Sequence, residues 1–175
     1  QLIDGQSDLH LWSDNYDRSL DDIFEIQSEV ALKVAENLRL NMKPSTRTRI
    51  ESRSTRNGEA YDIFMRALYQ FENLNYGSTE ALAREIELLE KAIALDSTFA
   101  PAYAMLGNDW LFQAGVVGRA NPQDVSEKGR NYLLKALRLD PLNGLANALM
   151  GDYYLWMEWD FDQAEARKLT ALELE

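Results

Sequence analysis

The 175-residue sequence has no cysteine and a single histidine, His10. Without cysteine there are no disulfides, no thiolate-ligated zinc and no thiol nucleophile. The lone histidine falls in a segment that alternates apolar and polar residues, where a surface strand position explains it. Positive charge is scarce: 18 Lys and Arg stand against 29 Asp and Glu, for a net charge of −11. That balance opposes binding to phosphate backbones, so nucleic acid is not an expected partner. No apolar run approaches the roughly 18 residues of a membrane span, and no signal peptide is visible. Gly-rich phosphate loops, HExxH and Gly-x-Ser-x-Gly are also missing. What remains, 46% hydrophobic and 27% charged over 175 residues, suits one globular domain, or one domain plus an appendage. The chain opens on Gln1 and stops inside a helical pattern, which reads as a fragment of a longer protein.

Residues 1–12 predict a short β-hairpin: Gln1–Asp4, a turn at Gly5–Asp8, and Leu9–Trp12 returning with period two. A lone hairpin is marginal in water, so it needs further strands or a helix to pack on. Ser19 to Asp22 reads as a capping box opening a long amphipathic helix over about 20–41. Its apolar stripe is Ile23, Ile26, Val30, Val34 and Leu38, and Pro44 stops it. Residues 44–57 are polar, with Arg47, Arg49, Arg53 and Arg56 against Glu51, and predict a solvated basic linker. Asp21/Asp22 and Asp160/Asp162 sit at helix starts, where capping and the helix dipole explain them without catalysis.

From residue 58 the periodicity predicts three helical pairs, about 58–98, 99–142 and 143–175. When they are overlaid, Tyr61, Tyr103 and Asn147 coincide, as do Phe64, Leu106 and Met150. Met65, Gly107 and Gly151 follow, then Leu68, Trp110 and Tyr154. On the second helices Ala92, Ala136 and Ala171 align, and Asp96-Ser97 and Asp140-Pro141 end the first two. This pattern resembles degenerate tetratricopeptide (TPR) repeats, helical hairpins that cannot bury their apolar faces singly. The likeness implies a mostly α fold, a TPR-like α-solenoid of about three hairpins after the β-hairpin and long helix. The 44-residue step from Gly107 to Gly151 exceeds the family's period of about 34. Part of the excess falls in a loop expected at Gly115–Asn121.

A closer resemblance joins the front to the repeats. It is carried by Gln1–Asp4, Leu11-Trp-Ser-Asp-Asn-Tyr-Asp-Arg18, Leu20–Gln27, Ala60-Tyr61-Asp62 and Lys91–Asp96. These look like a bacterial family in which a TolB-like or FlgO-like α/β segment, here residues 1–43, precedes TPR repeats. Such tails follow class III adenylate/guanylate cyclase domains, CadC-like winged-helix regulators or serine/threonine kinases. The resemblance implies a regulatory, non-catalytic interaction segment of a signalling protein, with a cyclase favoured as the parent. It implies no cofactor or metal in this segment. Location would be the parent's, cytoplasmic or attached to the inner membrane.

The expected partner surface is the concave side, lined by the first helix of each pair. Residues one and four or five beyond the Leu-Gly position point there: Arg66, Tyr69 and Gln70, then Asn108, Leu111 and Phe112, then Asp152, Leu155 and Trp156. Polar groups beside aromatics suit a peptide or a docking helix. The apolar last helix, with Phe161, Leu169 and Leu172, predicts docking or self-association through that end.

Overall fold

The computed structural model describes residues 1–3, 5, 8–16, 23–38, 47, 54–73, 78–113 and 122–174. The expected capping box at Ser19–Asp22, linker residues 44–46 and 48–53 and the loop at Gly115–Asn121 lie outside them. The chain is mostly α-helical, with one short antiparallel sheet of two strands among the described residues. It divides into two compact units, residues 1–53 and 54–175.

In the first unit β1 (Leu2–Ile3) pairs antiparallel with β2 (His10–Trp12), Leu2 opposite Trp12 and Ile3 opposite His10. The support this hairpin needs comes from α1 (Ile23–Asn37), against which β2 packs. Lys33 of α1 is the hub. Its ammonium pairs with Asp14 at 2.7 Å and Glu29 at 3.0 Å, and lies 5.9 Å from the Trp12 ring centroid. These partners hold the Lys33 ammonium firmly protonated. His10 is exposed.

The second unit is a succession of helices: α2 (Gly58–Asn73), α3 (Thr79–Leu95), α4 (Ala100–Phe112), α5 (Pro122–Leu139), α6 (Gly144–Tyr153) and α7 (Phe161–Leu174). They pack as antiparallel pairs α2/α3, α4/α5 and α6/α7, and every substantial helix contact joins neighbours or next neighbours in sequence. Residues 54–57, expected in the linker, belong to this unit. Thr55 is buried and donates its hydroxyl proton to Asp96, while Asn57 caps α2 by accepting the Ala60 amide at 3.1 Å.

The same inter-hairpin turn is built twice. Asp96 accepts the Phe99 amide on its carbonyl and the Thr98 amide on its carboxylate. Asp140 accepts the Asn143 amide on its carbonyl and the Leu142 amide on its carboxylate. A carboxylate two residues before a free amide makes an Asx turn, so the aspartate ends one helix while aiming the next. Ser78, Asn143 and Asp160 then cap α3, α6 and α7, each accepting an amide three residues on.

Small residues set how closely the helices of a pair approach. A Cβ on Gly107 would lie 2.9 Å from the Gly129 carbonyl, and one on Gly129 2.8 Å from the Gly107 carbonyl. Gly151 faces Ala164 in the last pair in the same way, its added Cβ 3.2 Å from the Ala164 carbonyl. In the first pair the equivalent positions hold Met65 and Glu85.

Two cores result, each spanning a hairpin and the first helix of the next. The first joins Phe64, Leu89, Phe99 and Leu106, with Phe64 edge-on to Phe99 at 4.9 Å. The second joins Leu111, Leu133, Ala136, Met150 and Tyr153. Helix α4 contributes to both and is apolar on nearly every side, as a helix buried between layers must be. Asn147 replaces the tyrosines found at its position in the other pairs. It is wholly buried yet satisfied, donating to the Pro141 and Asn143 carbonyls and accepting from Arg167.

Candidate functional site

The nine expected partner residues fall on the first helices, but they are not equally available. On α2, Arg66 is exposed and paired with Asp62 at 2.7 Å, and Tyr69 is 68% exposed. Gln70 is half-buried, with its Oε1 out of solvent and lacking a hydrogen-bond partner among the described residues. On α4, Asn108 and Phe112 are half-buried. Leu111 is buried, because the missing side chain at Gly129 leaves room for it between α4 and α5. Its surface is spent on the core and is not open to a partner. On α6 and the turn after it, Asp152 pairs with Lys168 at 2.6 Å, Leu155 is half-buried and Trp156 is 66% exposed.

Trp156 belongs to an exposed aromatic group on this unit. Helix α6 runs into a π-helical turn, Tyr154–Glu158, which ends at Trp159 in the left-handed conformation (φ 56°). Trp159 is 71% exposed and Phe161, which opens α7, is 61% exposed. The Tyr153 hydroxyl donates to Glu158 at 2.8 Å and tethers the turn, while burial and this bond push the phenol up to about 12. Three large aromatics are thus held outward within six residues. The broad turn explains their direction: its wider winding rotates the residues after Tyr153 off the face that α6 buries.

A pair of buried acids adds a feature that the sequence pattern does not announce. Asp109 of α4 and Glu85 of α3 are both almost fully buried. Neither Asp109 oxygen nor Glu85 Oε1 has a hydrogen-bond partner among the described residues. Burial pushes the Asp109 carboxyl up to about 9, with the Glu85 charge adding to it, and burial alone pushes Glu85 up to about 7. At neutral pH the pair therefore retains a proton. The neighbouring Trp110 is covered by the Lys128 ammonium, 3.4 Å from its ring centroid. A signal existed in the overlay: Glu85 stands where the other pairs hold Gly129 and Ala164, the small residues of close helix approach. Among the described residues, no three His, Asp or Glu side chains gather to hold a metal ion. No described helix is long and apolar enough to cross a membrane.

No protein-family model matches the chain. It is similar to a protein of Rhizobium meliloti (strain 1021) named "Putative adenylate cyclase 3", at 35% identity over a 167-residue alignment that takes in 85% of this chain. The match covers 27% of that protein, so the chain corresponds to about a quarter of its length.

Proposed function

We propose that this chain is a TPR-like solenoid segment that acts as a non-catalytic interaction module of a larger bacterial signalling protein, with an adenylate or guanylate cyclase as the effector. The observation that carries the scaffold reading is the repeated hairpin itself. Two identical Asx turns and two close helix approaches, Gly107 with Gly129 and Gly151 with Ala164, recur along the second unit. Repetition of this kind extends a surface, which is how helical repeats bind peptides and helices. The likeness to part of a protein named as a cyclase supports the choice of effector.

Within this reading the contact surface runs from Tyr69 past Asn108 and Phe112 to Trp156, with Trp159 and Phe161 at its open end. Aromatic anchors that are already ordered lose little side-chain freedom on binding, and they dominate the energetics of such surfaces. The segment sets the effector's activity by holding a partner protein. The test uses the intact parent and the isolated chain side by side. The isolated chain incubated with ATP, GTP and divalent metal should form no cyclic nucleotide. The parent should form it, and Trp156→Ala with Trp159→Ala should alter its regulation while leaving its basal rate unchanged. Cyclic nucleotide formation by the isolated chain would overturn the non-catalytic reading. A winged-helix domain encoded upstream would move the module to a transcriptional regulator.

A further inference from the structure

We propose that the exposed face of α5 binds the same face of a second copy of this chain, antiparallel about a two-fold axis passing beside Asn131. The surface shares no residue with the aromatic contact surface, and the proposal does not rest on the identity of any effector.

Asp124, Glu127, Asn131, Lys135 and Arg138 follow one another at steps of three, four, four and three residues, so they form one stripe along the helix. Asp124, Glu127, Asn131 and Arg138 are exposed and Lys135 is half-buried. None of the four charged residues makes an ion pair within the described residues. A groove of about 450 Å³ runs along the stripe, and its wall includes Tyr103 and Tyr132, whose rings lie 6.3 Å apart.

The order of the charges is the decisive feature. Asp124 and Arg138 lie equally far on either side of Asn131, and so do Glu127 and Lys135. Each mirrored pair has opposite signs. When two such helices lie antiparallel with their Asn131 residues together, Asp124 faces the partner's Arg138 and Glu127 faces the partner's Lys135. The two-fold repeats both pairs, giving four attractive contacts within the stripe, while Lys128, the remaining charge on the groove wall, lies over the Trp110 ring and has Leu134 at its mirrored position. A two-fold interface must be self-complementary in this way, because one patch serves on both sides. A parallel arrangement would set like charges opposite each other. The half-buried tyrosines supply apolar contact beside the charged rows, and the stripe spans about 21 Å at 1.5 Å per residue.

A single helix pair buries less surface than the roughly 1,200 Å² at which specific complexes become stable. The association is therefore weak and concentration-dependent, and salt weakens it because its pairs are at the surface. Linkage through a parent protein would raise the local concentration and make the contact effective.

Sedimentation equilibrium of the 175-residue chain up to about millimolar concentration tests this. The wild type should self-associate at low salt, with the association constant falling roughly tenfold or more in half-molar salt. Asp124→Arg alone and Arg138→Asp alone should each lose association by about tenfold or more, since each places like charges opposite each other twice. An equal mixture of the two variants should associate again. The arginine introduced in one chain then faces the aspartate introduced in the other, and the native Arg138 of the first variant still faces the native Asp124 of the second. Glu127→Lys mixed with Lys135→Glu should behave likewise and guards against an effect of residue 124 on the helix start. Circular dichroism should show every variant folded. A wild type that stays monomeric overturns the proposal. So does association that ignores the single reversals, as expected of a contact through Trp156 and Phe161, or a mixture that fails to recover.

Discussion

Asp109 illustrates how much one side chain can weigh on a fold of this size. Its carboxyl is buried beside Glu85 with no hydrogen-bond partner among the described residues. Both folded-state values lie above the ordinary carboxyl range. The folded chain therefore keeps protons that the unfolded chain has released, and stability must fall as pH rises from about 5 through 7 to 9. Carboxylates with lowered values, such as Asp96, act only at lower pH, where their protonation destabilises the fold. Thermal unfolding at pH 5, 7 and 8.5 should show the melting temperature dropping across the series. Asp109→Asn should flatten that slope, leaving pH 5 nearly unchanged and adding about 1–3 kcal/mol at pH 8.5. A wild type that gains stability over this range would show that the acids are ionised and paired. Gly107 is the second residue of consequence. Gly107→Ala drives a methyl against the Gly129 carbonyl and should cost about 1–3 kcal/mol by denaturant unfolding. Gly58→Ala meets nothing within 4 Å and should cost nothing.

At the scale of the element, the π-helical turn after α6 sets the outward display of aromatics against backbone ease. Trp159 holds a positive φ at a helix end where glycine is the usual residue. Trp159→Gly should therefore raise stability by up to about 1 kcal/mol while weakening any contact made through the aromatic surface. Loss of stability on that change would mean the indole packs more than its exposure indicates. Helix boundaries in the second unit were readable from the sequence because caps carry their own chemistry. Asp96, Asp140 and Asp160 each announce a helix end by a side-chain acceptor near free amides. Side-chain availability was less readable. The spacing of Leu111 suits an open concave position, but whether it is open depends on Gly129, a residue 18 positions away on another helix. The π turn is written in no motif, since its extra winding arises from packing and from the Tyr153–Glu158 bond. The acidic pair escaped because residues of one charge look like surface when each is read alone. Only the register between hairpins brings Glu85 and Asp109 together.

The whole molecule is two units whose boundary lies at Arg53–Ser54. The second unit has its own cores and its own first cap in Asn57. Residues 54–175 produced alone should keep a cooperative thermal transition, and a fragment lacking helical circular dichroism would overturn that independence. Stability within this unit should be graded. Helix α4 sits in both cores, while α7 buries chiefly Ala164 and Ala171 and exposes Leu169 and Leu172. Amide hydrogen exchange should be slowest in α4 and α5 and fastest in α7.

The packing of each helix only on its near neighbours in the sequence has a kinetic consequence. Most helix packing in the second unit joins elements close in sequence, with longer closures such as Thr55 to Asp96 made at the ends of hairpins, so modest loop-closure entropy opposes its formation. Topologies of this type fold in microseconds to milliseconds, and a hairpin can form as soon as its own residues are available. The α4/α5 pair, which packs on both neighbouring hairpins, should form the nucleus. Growth from it can run in either direction, so the acidic pair at its border with α3 lies on one of the two fronts. Alkaline pH should then slow docking of the α2/α3 hairpin while leaving the α6/α7 side untouched.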